Sequence, residues 1–320
     1  MVDSGLRAGT FGRTSIAGAR QGSVKMASVA ICRYNQTMRI HKRGEPMKAR
    51  CVIPVLAAGL SLLGCDRGAT APERMSPPSF ITDGTIDDNQ HPAVVLIVMD
   101  VAGEPAFRCS GTLIAPKVVL TAGHCAGEPG EFSGMRIFTE SDVENGTNNY
   151  PFAGPNTVEA AEWHAHPLFT ESAFFRHDVG VVLLRKAVKL AADQYGRLPT
   201  QDQLDALKPS SSTLFTAVGY GLQRINPVFI EAEKIRMFAE PHLVQINTPG
   251  FTGDFSLLLS NNASTGGTCF GDSGGPNYVA SSNVIAGVTS FGLNGTCGGT
   301  GGVFRLDRKN VLDFVTQYLR

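Results

Sequence analysis

Short apolar runs alternate with glycine-rich connections through the C-terminal three quarters of the chain, at 93–99, 118–121, 179–184 and 284–288. Glycine, at 36 residues in the whole chain, recurs between such runs, and that rhythm predicts an all-β protein with many tight turns. The end of the chain breaks the pattern. Across 307–319, Val311, Phe314, Val315, Tyr318 and Leu319 recur at helical spacing, which predicts one C-terminal amphipathic helix with Asp307 or Asn310 as its cap.

The first eighty residues follow another logic. Met47, Lys48 and Arg50 make a short basic start, and 52–63 is an apolar run too short to span a bilayer, which together are the layout of an export signal over 47–64. It ends in Leu62-Leu63-Gly64-Cys65, which resembles the lipobox of bacterial lipoproteins; that likeness implies a lipid on Cys65, and an ordinary cleaved signal is the alternative. Residues 1–46 hold many Arg and Lys, only Asp3 and Glu45 as acids, and no apolar periodicity, so they are expected to lie outside the mature protein. Within 65–80, Pro72, Pro77 and Pro78 with few large apolar residues suit a tether or propeptide, leaving 81–320 as the folded domain.

The formal charge is zero and 18% of residues are charged, so neither nucleic acid nor an acidic membrane surface is suggested as a partner. Cysteine usage says more. Cys32, Cys51 and Cys65 precede the domain, and Cys109, Cys125, Cys269 and Cys297 remain, enough for two disulfides in an exported protein. Three pairings are open; joining Cys109 to Cys125 and Cys269 to Cys297 would staple a local loop beside each of two candidate catalytic residues, at about 3 kcal/mol apiece. His124 adjoins Cys125, but no regular Cys/His spacing supports a metal site, and no cofactor is expected.

Peptide hydrolysis needs a nucleophile, a base, a group that orients the base, and donors for an oxyanion. Gly271-Asp272-Ser273-Gly274-Gly275-Pro276 sets a serine among glycines, where a carbonyl can approach the backbone closely. Together with Thr121-Ala122-Gly123-His124-Cys125 and the stretch from His177-Asp178 to Leu184, this hexapeptide resembles the chymotrypsin family of serine peptidases, with His, Asp and Ser in the matching order. Cys109-Ser110-Gly111-Thr112, Val218-Gly219-Tyr220-Gly221 and Ser290-Phe291-Gly292 extend the likeness over about 81–320. The resemblance implies two antiparallel six-stranded β-barrels, a cleft between them, and a C-terminal helix.

It also implies roles. His124 would be the general base, Asp178 its orienting partner, Ser273 the acylated nucleophile, and the NH groups of Gly271 and Ser273 the oxyanion donors. Gly123 and Gly180 stand where the family usually has alanine; the change at Gly123 is expected to loosen the backbone slightly, and neither removes a catalytic group. His177 is expected to be a surface neighbour, and His164 and His166 loop-entry residues without a third metal ligand.

In the family the residue six before the nucleophile forms the base of the primary pocket, here Gly267. A pocket of Gly267, Ser290, Phe291, Gly292 and Gly302 holds no acid, so cleavage is expected after large apolar residues rather than after Arg or Lys. Ile81 resembles an activated N-terminus whose amine would pair with Asp272, and Phe80 before it suits the same apolar preference. The expected product is an exported monomer acting on proteins or peptides; a binding lipoprotein on the same scaffold is the alternative from another class.

Overall fold

The apolar runs become strands, and the strands close twice. A computed structural model describes residues 83–225, 230–248 and 252–319; the export signal, Cys65, the tether and Ile81 lie outside the described residues. After a two-residue strand β1 (Thr85–Ile86), the chain lays down β2 (Val94–Val101), β3 (Glu104–Ala115), β4 (Val118–Thr121), a single turn α1 (Gly123–Ala126), β5 (Gly134–Phe138), β6 (Thr157–Ala165) and β7 (Gly180–Leu184). These form a closed antiparallel barrel in the order β2-β3-β4-β7-β6-β5.

The second half supplies β8 (Ser210–Gly219), β9 (Arg224–Ile225), β10 (Ile230–Glu231), β11 (Met237–Ala239), β12 (His242–Thr248), β13 (Gly253–Asn261), β14 (Pro276–Val279), β15 (Ile285–Gly292) and β16 (Gly299–Arg305). Six of them run β8-β12-β13-β16-β15-β14, and β14 pairs back onto β8 to close a second antiparallel barrel. The four runs read from the sequence are the cores of β2, β4, β7 and β15. In β2 the positions from Val94 to Met99 are all buried, which is why the run is continuous instead of alternating.

One apolar core joins the barrels. Leu96, Ile97, Leu113, Leu120 and Phe138 of the first share it with Val218, Tyr220, Val288 and Phe304 of the second. Phe215, Leu243, Leu257, Leu259 and Val303 make a separate cluster inside the second barrel. The disulfides are Cys109–Cys125, tying β3 to α1, and Cys269–Cys297. Among the described residues no helix is long and apolar enough to cross a membrane.

The C-terminal helix, α2 (Lys309–Thr316), buries Val311, Phe314 and Val315 as expected. Its limits and cap need correction. Gln317–Leu319 winds as a tighter 3-10 turn, and Arg308, at the N-cap position before Lys309, gives the helix no side-chain cap. Asp307 is drawn elsewhere: it accepts from the wholly buried Arg305 Nε at 3.0 Å and from Leu204 NH at 2.8 Å. A buried guanidinium without a carboxylate costs more than an uncapped turn.

Candidate active site

Strand pairing brings His124 and Asp178 together. β4 and β7 are antiparallel with Thr121 opposite Gly180, so the residues just after β4 face those just before β7. His124 lies in α1, which ends at Gly127 (φ 73°), where the NH returns to Gly123 O at 2.9 Å. The departures at Gly123 and Gly180 serve close packing, not looseness. A methyl on Gly180 would lie 2.8 Å from both Ala122 O and the Ala126 methyl, and one on Gly123 would lie 2.8 Å from the Phe169 ring.

Asp178 is fully buried and accepts three kinds of donor. His124 NH donates to Oδ1 at 2.9 Å, His124 Nδ1 lies 2.9 Å from Oδ2, and Ser290 Oγ donates to Oδ2 at 2.5 Å. A carboxylate can only accept, so Nδ1 carries the proton and Nε2 keeps its lone pair. Burial pulls the His124 pKa down, but the Asp178 charge and hydrogen bond, aided by Glu131, outweigh it and leave the imidazole above its ordinary value. Ser290, expected in the pocket wall, sends its hydroxyl across from the second barrel to hold Asp178.

The serine loop is pinned from both barrels. Ser110 NH donates to Ser273 O at 2.8 Å, Gly274 NH to Thr289 O at 2.8 Å, and Ser110 Oγ to Gly271 O at 2.9 Å. Gly274 (φ 79°) presses on the stretch leading to His124, since a methyl there would collide with Thr121 Oγ1 and lie 2.8 Å from Ala122 N. Ser273 is half-buried, and its hydroxyl has no hydrogen-bond partner among the described residues. Substrate-free sites commonly keep that link long. Gly271 (φ 100°) and Ser273 likewise donate their NH groups to nothing among the described residues.

Between them Asp272 is buried, its oxygens taking Gly221 NH and Cys269 NH at 2.8 Å each. Burial pushes its pKa up to about 6, against the two NH bonds and the charge of Arg108. No ion pair reaches it among the described residues.

The family model for trypsin matches residues 85–313. The chain belongs to the trypsin family. Among its relatives are trypsin iota of Drosophila melanogaster, 27% identical over 188 residues (58% of this chain, 68% of the relative), and brachyurin of Leptuca pugilator, 29% identical over 198 residues (60% and 78%). Similar folds are a solved collagenase (TM-score 0.57, 20% identity, 74% of this chain and 96% of that one) and human heparin binding protein (TM-score 0.55, 20% identity, 75% and 96%). The family and its protease relatives make the chain a trypsin-like serine peptidase, and its two disulfides fit an exported protein.

In this trypsin-family chain the glycines expected to line the pocket are closely approached by neighbouring side chains. A methyl on Gly302 would run into the Phe291 ring, one on Gly301 would lie 2.8 Å from Thr268 Oγ1, and one on Gly267 would lie 2.5 Å from Asn261 Oδ1. Gly292 is exposed beside half-buried Phe291. Phe174, which the sequence reading passed over, stands edge-on to both His124 (ring centroids 6.2 Å) and Phe291 (6.5 Å). Its signal was an aromatic pair, Phe174-Phe175, just before the aspartate motif.

Ligand atoms of Cys109, His124 and Cys125 lie within 4.8 Å of one another, yet both sulfurs are in the disulfide and offer no thiolate to a metal. His164 stacks on Tyr318 and His166 on His177, so the first two do not converge. His177 is thus a half-buried packing partner rather than a surface neighbour.

Proposed function

We propose that the chain is an endopeptidase that hydrolyses peptide bonds through an acyl-enzyme on Ser273, cutting after large apolar residues. The observation that carries this reading is the buried Asp178, which gathers His124 Nδ1 and Ser290 Oγ and leaves His124 Nε2 free to act as a base, with Gly274 of the serine loop packed on Thr121 and Ala122, the stretch leading to His124. Nε2 takes the Ser273 proton as Oγ bonds to the substrate carbonyl carbon, and the oxyanion settles on the free NH groups of Gly271 and Ser273. The C–N bond then breaks, the amine leaving with the proton from the imidazolium. Water repeats the sequence on the ester, releasing the acid and restoring the hydroxyl.

An unfilled need at Asp272 supports activation by the Ile81 amine. Its buried carboxylate has NH donors and feels the charge of Arg108, but it has no ion pair among the described residues, so an ammonium brought to it would favour the ionised loop. Export with a lipid on Cys65 completes the proposal for where the enzyme acts. Peptide-library profiling of protein beginning at Ile81, beside a Ser273→Ala control, tests the specificity. Cleavage after large apolar residues is expected; faster cleavage after Arg would overturn it.

A further inference from the structure

The inward face of β13 ends on a polar side chain. Leu257, Leu259 and Asn261 share a face by the two-residue period of a strand; the leucines fill the second barrel, and Asn261 is 1% exposed. Asn261 Nδ2 donates to Thr268 O at 2.7 Å, and because a carbonyl can only accept, that bond fixes which end of the amide faces which way. Oδ1 is then a buried acceptor without a partner among the described residues. Such an orphan calls for an explanation.

Its surroundings offer one. A side chain on Gly267 would start 2.5 Å from Asn261 Oδ1, so the carboxamide stands in the space that residue 267 leaves empty. The register sets Asn261 opposite Gly299 and Leu259 opposite Gly301, where Thr268 Oγ1 also approaches. Gly267 in the connection after β13 and Gly299 and Gly301 on β16 therefore leave the amide oxygen to act in place of the missing residue-267 side chain.

We propose that Asn261 determines specificity at the base of the pocket, its Oδ1 accepting a hydrogen bond from the hydroxyl of a tyrosine just before the scissile bond. This rests on the peptidase reading above. Phenylalanine would fill the same apolar walls but leave the acceptor unpaired, and one neutral hydrogen bond gained there corresponds to about tenfold in kcat/KM. Arginine or lysine would bury a cation beside a neutral amide with no carboxylate in reach.

The test uses protein beginning at Ile81, titrated with a fluorophosphonate, and peptides that differ only in Tyr, Phe or Arg before the cut. The expected tyrosine-over-phenylalanine ratio is about ten, falling to about one in Asn261→Leu. Asn261→Asp, which keeps the shape and adds a charge, is expected to gain arginyl hydrolysis and carries the test if the leucine variant does not fold. A wild-type ratio near one, a ratio that survives in Asn261→Leu, or no arginyl gain in Asn261→Asp would overturn the proposal. Labelling of Ser273 separates the two levels: no label sinks the peptidase reading itself, whereas full labelling with a ratio indifferent to Asn261 sinks this inference alone.

Discussion

At the residue scale, two titrating groups give the site its pH dependence. His124 must be neutral to act as a base, and Asp178 holds its pKa above 6.5, so kcat/KM is expected to rise with a midpoint above pH 6.5. Asp178→Asn should move that midpoint down and lower kcat by about 10⁴-fold through the wrong tautomer; a pH profile of both proteins checks it. The same raised pKa makes the His124–Asp178 pair stabilising below about pH 6.5, a contribution lost as pH rises through the folded value. Asp272 works the other way. With its pKa raised from 3.8 to about 6, ionisation costs the unprocessed fold nothing below pH 3.8 and about 3 kcal/mol above pH 6. Asp272→Asn should therefore stabilise unprocessed protein at pH 7.5 but not at pH 3.5, and should cost the Ile81 form its activity; urea unfolding at the two pH values, with an assay, decides. The proposed roles of His124, Asp178 and Ser273 could be read because each sits in its own local motif. Ser290 and Asn261 were not: the Ser290 bond to Asp178 spans 112 positions, and the Asn261 role depends on glycines in other segments.

At the element scale, the strand runs and the C-terminal helix could be read from periodicity, since burial on β2 or one face of α2 leaves a direct apolar trace. The helix cap could not, because Asp307 answers to the buried Arg305 rather than to its own helix. The same limit applied to Gly123 and Gly180, whose purpose lies in the approach of α1 to β7. The Cys109–Cys125 bridge closes a separation of 16 residues and fixes the short turn bearing His124. Replacing both cysteines by alanine should cost about 3 kcal/mol and lower kcat beyond what residual unfolding explains. Thermal unfolding paired with single-turnover kinetics checks this, and an unchanged rate in the folded variant would show that α1 holds its place unaided.

At the scale of the molecule, the site exists only where two closed barrels meet. His124 and Asp178 come from the first, while Ser273 and Ser290 come from the second, and Ser110 joins the halves through Gly271 O and Tyr220 NH. A shared apolar core holds that joint, so it is built into the fold rather than assembled on demand. The central claim is that this joint turns one alcohol into a nucleophile. Intact-mass analysis and peptide mapping after fluorophosphonate treatment of protein beginning at Ile81 test it directly. The expected result is one adduct, on Ser273, absent from Ser273→Ala and strongly slowed in His124→Ala; a folded, processed protein that takes up no adduct, or carries it on another residue, would contradict the account.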